Sequence, residues 1–115
     1  MFPPQVQALS SSPSPSRILI DVREPDEYAA GYIPSAINIP LESAPDAWYL
    51  PADEFQDRFG VPKPESDTEV VFYCKAGIRS RTAAGMARQV GYQRVGEYAG
   101  SWLDWQRHEG GKERG

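Results

Sequence analysis

Glu69-Val-Val-Phe-Tyr-Cys74-Lys-Ala-Gly-Ile-Arg79-Ser-Arg81 reads as a strand, a turn that carries the chain's one cysteine, and the start of a helix. Val70, Val71 and Phe72 make a short apolar run of β-formers, suited to a strand covered on both faces. Beyond the turn, Ala83, Met86, Ala87 and Val90 fall at i, i+3, i+4 and i+7, one face of a helix that Gly91 stops. A strand–loop–helix of this kind turns backbone N–H groups and the positive end of the helix dipole toward the loop. Cys74 opens that loop, and Lys75, Arg79 and Arg81 follow it closely. A lone cysteine is more often an inert buried residue than a nucleophile. Cations beside it and a helix behind it reverse that expectation, because they favour the thiolate.

The same alternation extends in both directions. Upstream, Arg17 to Val22 is a buried strand with Asp21 near its end, and a short helix follows from Pro25 to a stop at Gly31. Ala36 to Ile39 is a second short strand, and Ala52 to Phe59 is a helix ended by Gly60. Val61 to Asp67 is a loop by its prolines and polar residues. Downstream, Arg94 to Ala99 forms a strand, and Ser101-Trp-Leu-Asp104 has the form of a capping box that opens a last helix. The order predicts an α/β fold with a mostly parallel sheet of four to five strands and helices on both faces. Asp21 and Cys74 then both lie at carboxyl ends of strands, where such sheets bind ligands. Residues 1–16 read as a flexible Ser/Pro-rich tail in which Val6 and Leu9 can dock, 17–109 as the domain, and 110–115 as a disordered tail.

Composition narrows the function classes. The chain has 115 residues, 40% of them hydrophobic, enough for one core. A formal net charge of −4 argues against a nucleic-acid partner. One cysteine excludes an intramolecular disulfide and points to a reducing compartment. The cytoplasm is the first expectation, with the mitochondrial matrix the alternative where a presequence has been removed. One cysteine and one histidine, His108, leave no ordinary zinc ligand set, so neither metal nor cofactor is expected. No apolar run suggests a membrane span or a signal sequence.

Ile20-Asp21-Val22-Arg23-Glu24, Glu27-Tyr28, Gly31-Tyr32-Ile33-Pro34-Ser35-Ala36-Ile37-Asn38-Ile39-Pro40, Tyr73-Cys74-Lys75-Ala76-Gly77-Ile78-Arg79-Ser80 and Gly100-Ser101-Trp102 occur in that order. Together they resemble a single-domain rhodanese, over about Arg17 to Arg107. The resemblance implies a five-stranded parallel α/β domain, with Val6 to Leu9 the best candidate for the fifth strand. It also implies a sulfurtransferase that works through a cysteine persulfide. On that mapping Cys74 accepts the sulfane sulfur, and Lys75, Ala76, Gly77, Ile78, Arg79 and Ser80 form the cradle that binds substrate. The family usually has His and Gly where this chain has Tyr32 and Ser35, and both are read as scaffold positions.

The residues suit that chemistry. Thiosulfate is a small dianion, and Lys75 and Arg79 would draw it in and offset charge on the departing sulfite. A ring of amides can hold the persulfide anion. Cyanide, a small thiol or a protein thiol would then remove the sulfur. Asp21 and Arg23 are expected to support the loop, with Arg23 paired to Glu24, Glu27 or a neighbouring carboxylate. A cysteine phosphatase or arsenate reductase is the main rival activity, but its Cys-x5-Arg pattern would need arginine at Ser80. A persulfide relay that serves a partner protein is the other alternative.

Overall fold

In the computed structural model, which describes residues 3–11, 14 and 16–114, four strands alternate with helices. The order is α1 (Pro3–Ser11), β1 (Arg17–Asp21), α2 (Pro25–Ala30), β2 (Ile37–Asn38), a 3-10 turn (Ala47–Tyr49), α3 (Ala52–Phe59), β3 (Glu69–Tyr73), α4 (Ile78–Gln89), β4 (Arg94–Glu97) and α5 (Ser101–Arg114). The strands run parallel in the order β2-β1-β3-β4. From β1 the chain steps outward to β2 and then crosses back to β3. The carboxyl ends of β1 and β3 therefore flank the topological switch point, where this class of sheet places its ligands. Asp21 pairs in register with Tyr73, so Cys74 follows directly beyond the last paired residue of β3.

Alternate strand residues feed two cores. Ile20, Val22, Val70, Phe72 and Cys74 face one layer, closed by Trp48, Phe55 of α3, and Ala83, Ala84 and Ala87 of α4. Leu19, Val71 and Tyr73 face the other, closed by Val6 and Leu9 of α1 and Trp105 of α5. This is the period-two pattern of a sheet buried on both sides.

The N-terminal segment departs from its sequence reading. Residues 1, 2, 12, 13 and 15 of it lie outside the described residues. Residues 3–11 form a helix where composition suggested a flexible tail or a fifth strand, while Val6 and Leu9 dock on the domain as the sequence allowed. The reason is the second core, which α5 alone would leave partly uncovered. Two apolar side chains one turn apart fill it, and a strand would turn only alternate residues inward. The backbone of α5 likewise runs through the region read as a disordered C-terminal tail, as far as Arg114.

The two residues read as departures from the motif, Tyr32 and Ser35, lie between α2 and β2. Ser35 holds φ at 74°, where glycine is at ease, and Tyr32 stacks on Tyr28 with ring centroids 4.2 Å apart.

Candidate active site at the Cys74 loop

Cys74 leaves β3 and lies against the first turns of two helices. Its own N–H donates to Ser101 Oγ at 3.1 Å, and its carbonyl accepts the Trp102 N–H at 2.9 Å. The Leu103 N–H donates to the Lys75 carbonyl at 3.2 Å. The orphan donors at the start of α5 are thus satisfied by the cysteine loop, and the expected capping box is absent. Both of its side chains are engaged elsewhere. Ser101 Oγ donates to the Tyr98 carbonyl, and the Asp104 carboxylate accepts from the Tyr98 hydroxyl.

On the other side, the loop turns at Gly77 into α4. Gly77 holds φ at 104°, and a Cβ there would lie 2.6 Å from the Ala99 carbonyl oxygen. Only glycine permits both the conformation and the close approach. The result is a Gly77 N–H that donates to Cys74 Sγ at 3.0 Å. Ser80 Oγ lies 3.5 Å from the same sulfur and donates to the Gly77 carbonyl. Burial opposes ionisation of Cys74, but the Ser80 hydroxyl and the N–H groups of Ser80, Gly77 and Ala76 outweigh it. The thiol is therefore more acidic than an ordinary cysteine.

The side chains of the loop divide by role. Lys75, Ala76 and Ile78 are exposed, with Ile78 at 80%, and they form the outer rim. Ser80 is buried against the sulfur. Arg79 is not the free cation that the sequence suggested. Its guanidinium grips Glu27 through two hydrogen bonds of 2.7 and 3.1 Å, with Glu42 at 3.6 Å. Glu27 in turn accepts from the Glu24 N–H, which fixes the carboxylate at the start of α2. The Arg79 hydrogen bond holds Glu27 at about 2, well below its ordinary 4.5. The sign follows: this pair adds stability above about pH 4.5 and loses it as pH falls toward about 2. Glu27→Gln is expected to flatten that acid limb by about 1 kcal/mol or less, since the pair is partly solvated, as checked by melting temperature against pH.

Of the partners expected for it, Arg23 meets the neighbouring carboxylate, that of Asp21, and not Glu24 or Glu27. Arg23 donates to both Asp21 oxygens, and the 2.7 Å ion pair is buried, with side-chain exposures of 4% and 0%. The guanidinium also donates to the Gly31 carbonyl and lies over the Trp102 ring, 4.8 Å from its centroid. The pair reaches the cysteine loop through Trp102, whose N–H holds the Cys74 carbonyl, and through Tyr73, which precedes Cys74 on β3.

Sequence reasoning missed Ser101 as a neighbour of the sulfur and Glu27 as the partner of Arg79. Both residues stood in quoted motifs, but their contacts span 27 and 52 residues, and local spacing carries no such information. Among the described residues, no group of three or more His, Cys, Asp or Glu side chains is placed to hold a metal ion. Among the same residues, no helix is long and apolar enough to cross a membrane.

The chain is similar to known proteins in sequence and in fold. The thiosulfate:glutathione sulfurtransferase of Saccharomyces cerevisiae is 45% identical over 98 residues, spanning 85% of this chain and 70% of that protein. Thiosulfate sulfurtransferase RDL2, mitochondrial, from the same yeast is 44% identical over 101 residues, 88% of this chain and 68% of that one. The crystal structure of the yeast single-domain sulfurtransferase RDL2 superposes with a TM-score of 0.91 at 40% identity, covering 96% of this chain and 90% of that one. The sequence pattern of the rhodanese-like domain matches residues 3–108, from the first turn of α1 into α5. On sequence and on fold, the chain belongs to the rhodanese-like domain family.

Proposed function

We propose that the protein is a sulfurtransferase that moves a sulfane sulfur from thiosulfate or a similar donor to a thiol or cyanide through a persulfide on Cys74. The observation that carries this reading is the acidified sulfur itself, which accepts the Gly77 N–H at 3.0 Å inside a ring of loop amides. The Cys74 thiolate attacks the outer sulfur of thiosulfate and forms a new S–S bond. The old S–S bond breaks, and sulfite leaves with its electron pair. The loop amides that hold the thiolate can hold the persulfide anion as well, because negative charge stays within the same cradle. An acceptor thiolate or cyanide then attacks the outer sulfur and takes it, and the Cys74 thiolate returns.

Burial of Cys74 favours this over phosphoryl transfer. At 1% exposure the residue suits the hand-over of a single sulfur atom better than enclosure of a tetrahedral oxyanion. The position where a Cys-x5-Arg loop would supply its gripping arginine holds buried Ser80. Lys75 serves as the exposed cation that attracts the donor. Arg79, neutralised by Glu27, contributes less than its charge suggests. Relatives named as thiosulfate and thiosulfate:glutathione sulfurtransferases support a thiosulfate donor and a small-thiol acceptor here. A protein thiol is the same chemistry with a larger leaving partner. A reducing compartment follows from a free nucleophilic thiol, either the cytoplasm or, as for the relative named mitochondrial, the matrix. The domain proper is read as ending with α5, and residues 3–11 as part of it through Val6 and Leu9.

Intact mass without reductant tests the reading. Thiosulfate is expected to add one sulfur to the wild type, and cyanide to remove it. No gain from thiosulfate, mercaptopyruvate or glutathione persulfide would overturn the persulfide mechanism. The pH dependence gives a second check. Because the thiol is acidified, loading is expected to level off at a lower pH than it would for an ordinary thiol and to fall on acidification, where protonation removes the nucleophile. A rate that instead rises through pH 8 to 9, as for an ordinary thiol of about 8.5, would contradict the role given to the loop amides.

A further inference from the structure

The hydroxyl of Ser101 has three neighbours and one proton. It accepts from the Cys74 N–H at 3.1 Å, donates to the Tyr98 carbonyl at 2.9 Å, and lies 3.9 Å from Cys74 Sγ. Ser101 is wholly buried and holds φ at 58°, a left-handed conformation that glycine adopts freely and other residues only at a cost. Glycine would suit that backbone better, so what the side chain adds is its hydroxyl.

We propose that Ser101 is a positioning residue for the nucleophile: its hydroxyl anchors the Cys74 backbone, and turns its proton from the Tyr98 carbonyl to Sγ when that sulfur carries negative charge. The inference rests on the reading of Cys74 as a nucleophile. Three features of the geometry make the exchange inexpensive. A hydroxyl proton rotates about the Cβ–Oγ bond without moving a heavy atom. The Cys74 N–H keeps its acceptor throughout, because it uses a lone pair of Oγ and not the proton. The Tyr98 carbonyl keeps the Ser101 N–H, which already donates to it at 3.0 Å. Nothing buried is left unpaired in either state.

The exchange also completes the surroundings of the sulfur. Gly77 and Ser80 approach Sγ from the α4 side. Ser101 begins α5 and approaches from the other helix, so a thiolate or persulfide gains a donor from a second direction. A charged acceptor strengthens such a bond, and a neutral thiol does not.

Titration of Cys74 by its thiolate ultraviolet absorbance, with Cys74→Ser subtracted, tests this in the wild type, Ser101→Gly and Ser101→Ala. The inflection compares thiol with thiolate, so support that the hydroxyl gives equally to both states drops out of it. Both variants are expected to titrate about one pH unit higher than the wild type. Turnover number at neutral pH should fall, while the donor KM holds within about twofold. Ser101→Gly relieves the left-handed backbone, so it decides the question if Ser101→Ala fails to fold. An unchanged inflection in a folded variant overturns the role of Ser101. A wild-type inflection in the ordinary thiol range instead overturns the reading of Cys74 beneath it, so the two failures are told apart.

Discussion

Cys74→Ser is expected to accept no sulfur from thiosulfate and to lose turnover by at least about ten-thousandfold, while melting within a few degrees of the wild type. The two halves of that expectation come from different properties of one atom. The fold needs a small group at the floor of the loop that can accept the Gly77 N–H, and a serine oxygen does this. The chemistry needs a group that ionises near neutral pH and forms a bond to sulfur. The loop acidifies a thiol that is already close to that range, and no comparable shift brings an alcohol there. An unionised hydroxyl has no route to a persulfide. Steady-state kinetics on the wild type should show a ping-pong pattern, because sulfite leaves before the acceptor enters. A well-folded Cys74→Ser protein that kept its turnover would show that the donor and acceptor react directly on the surface, and the covalent mechanism would be wrong.

That loop was legible in the sequence because its determinants are local. Glu69–Tyr73 is a run of β-formers, Gly77 marks the turn, and α4 carries an apolar face of its own. Helix α3 could be bounded at Ala52–Phe59 for the same reason, since Gly60 caps it in the left-handed conformation. What stayed hidden depends on residues distant in the chain. Ser101 and Asp104 have the spacing of a helix cap, but the carbonyls of Cys74 and Lys75 satisfy the α5 donors first, which frees Ser101 to face the sulfur. Residues 3–11 carry too many serines and prolines to read as a helix, yet an open core face gives Val6 and Leu9 a place to be buried. Arg79 looked like a substrate cation because its neighbours in sequence are cations. Its partner in space is Glu27, from the first turn of α2 on the other side of the switch point.

This last contact gives the charge at the loop a different meaning. Lys75 stands exposed at the rim of the loop, whereas Arg79 is half of an ion pair. Charge at the mouth is therefore adjustable without touching the nucleophile, through the carboxylates of Glu27 and Glu42.

Asp21→Asn is expected to cost stability on the order of 3 kcal/mol, and turnover per folded molecule less than about threefold. Asp21 Oδ1 accepts from the N–H and Nε of Arg23, and Oδ2 accepts from Nε and the terminal nitrogen. The Tyr73 hydroxyl adds another donor, and burial with the Asp21 charge pushes its ionisation far up. Every neighbour of the carboxylate is thus a donor. An asparagine amide has one acceptor end, so in either orientation its NH2 faces a donor and one contact becomes repulsive. Arg23, 4% exposed at its side chain, is left with its charge uncompensated, where breaking a buried pair is most costly. The loss should lower the melting temperature by about 10 to 15 °C for a domain of this size. Turnover is expected to survive because Asp21 continues the sheet face of Leu19 and Tyr73, whereas Cys74 belongs with Phe72 on the other. The carboxylate reaches the sulfur only through intermediaries, by way of Arg23, Trp102 and the Cys74 carbonyl or by way of Tyr73. Melting curves and single-turnover sulfur loading on the same preparation separate the two effects. A variant that melts like the wild type but loads no sulfur would place Asp21 in the chemistry. Partial recovery of stability by an apolar residue at position 23 in the Asp21→Asn background would identify the stranded guanidinium as the source of the loss.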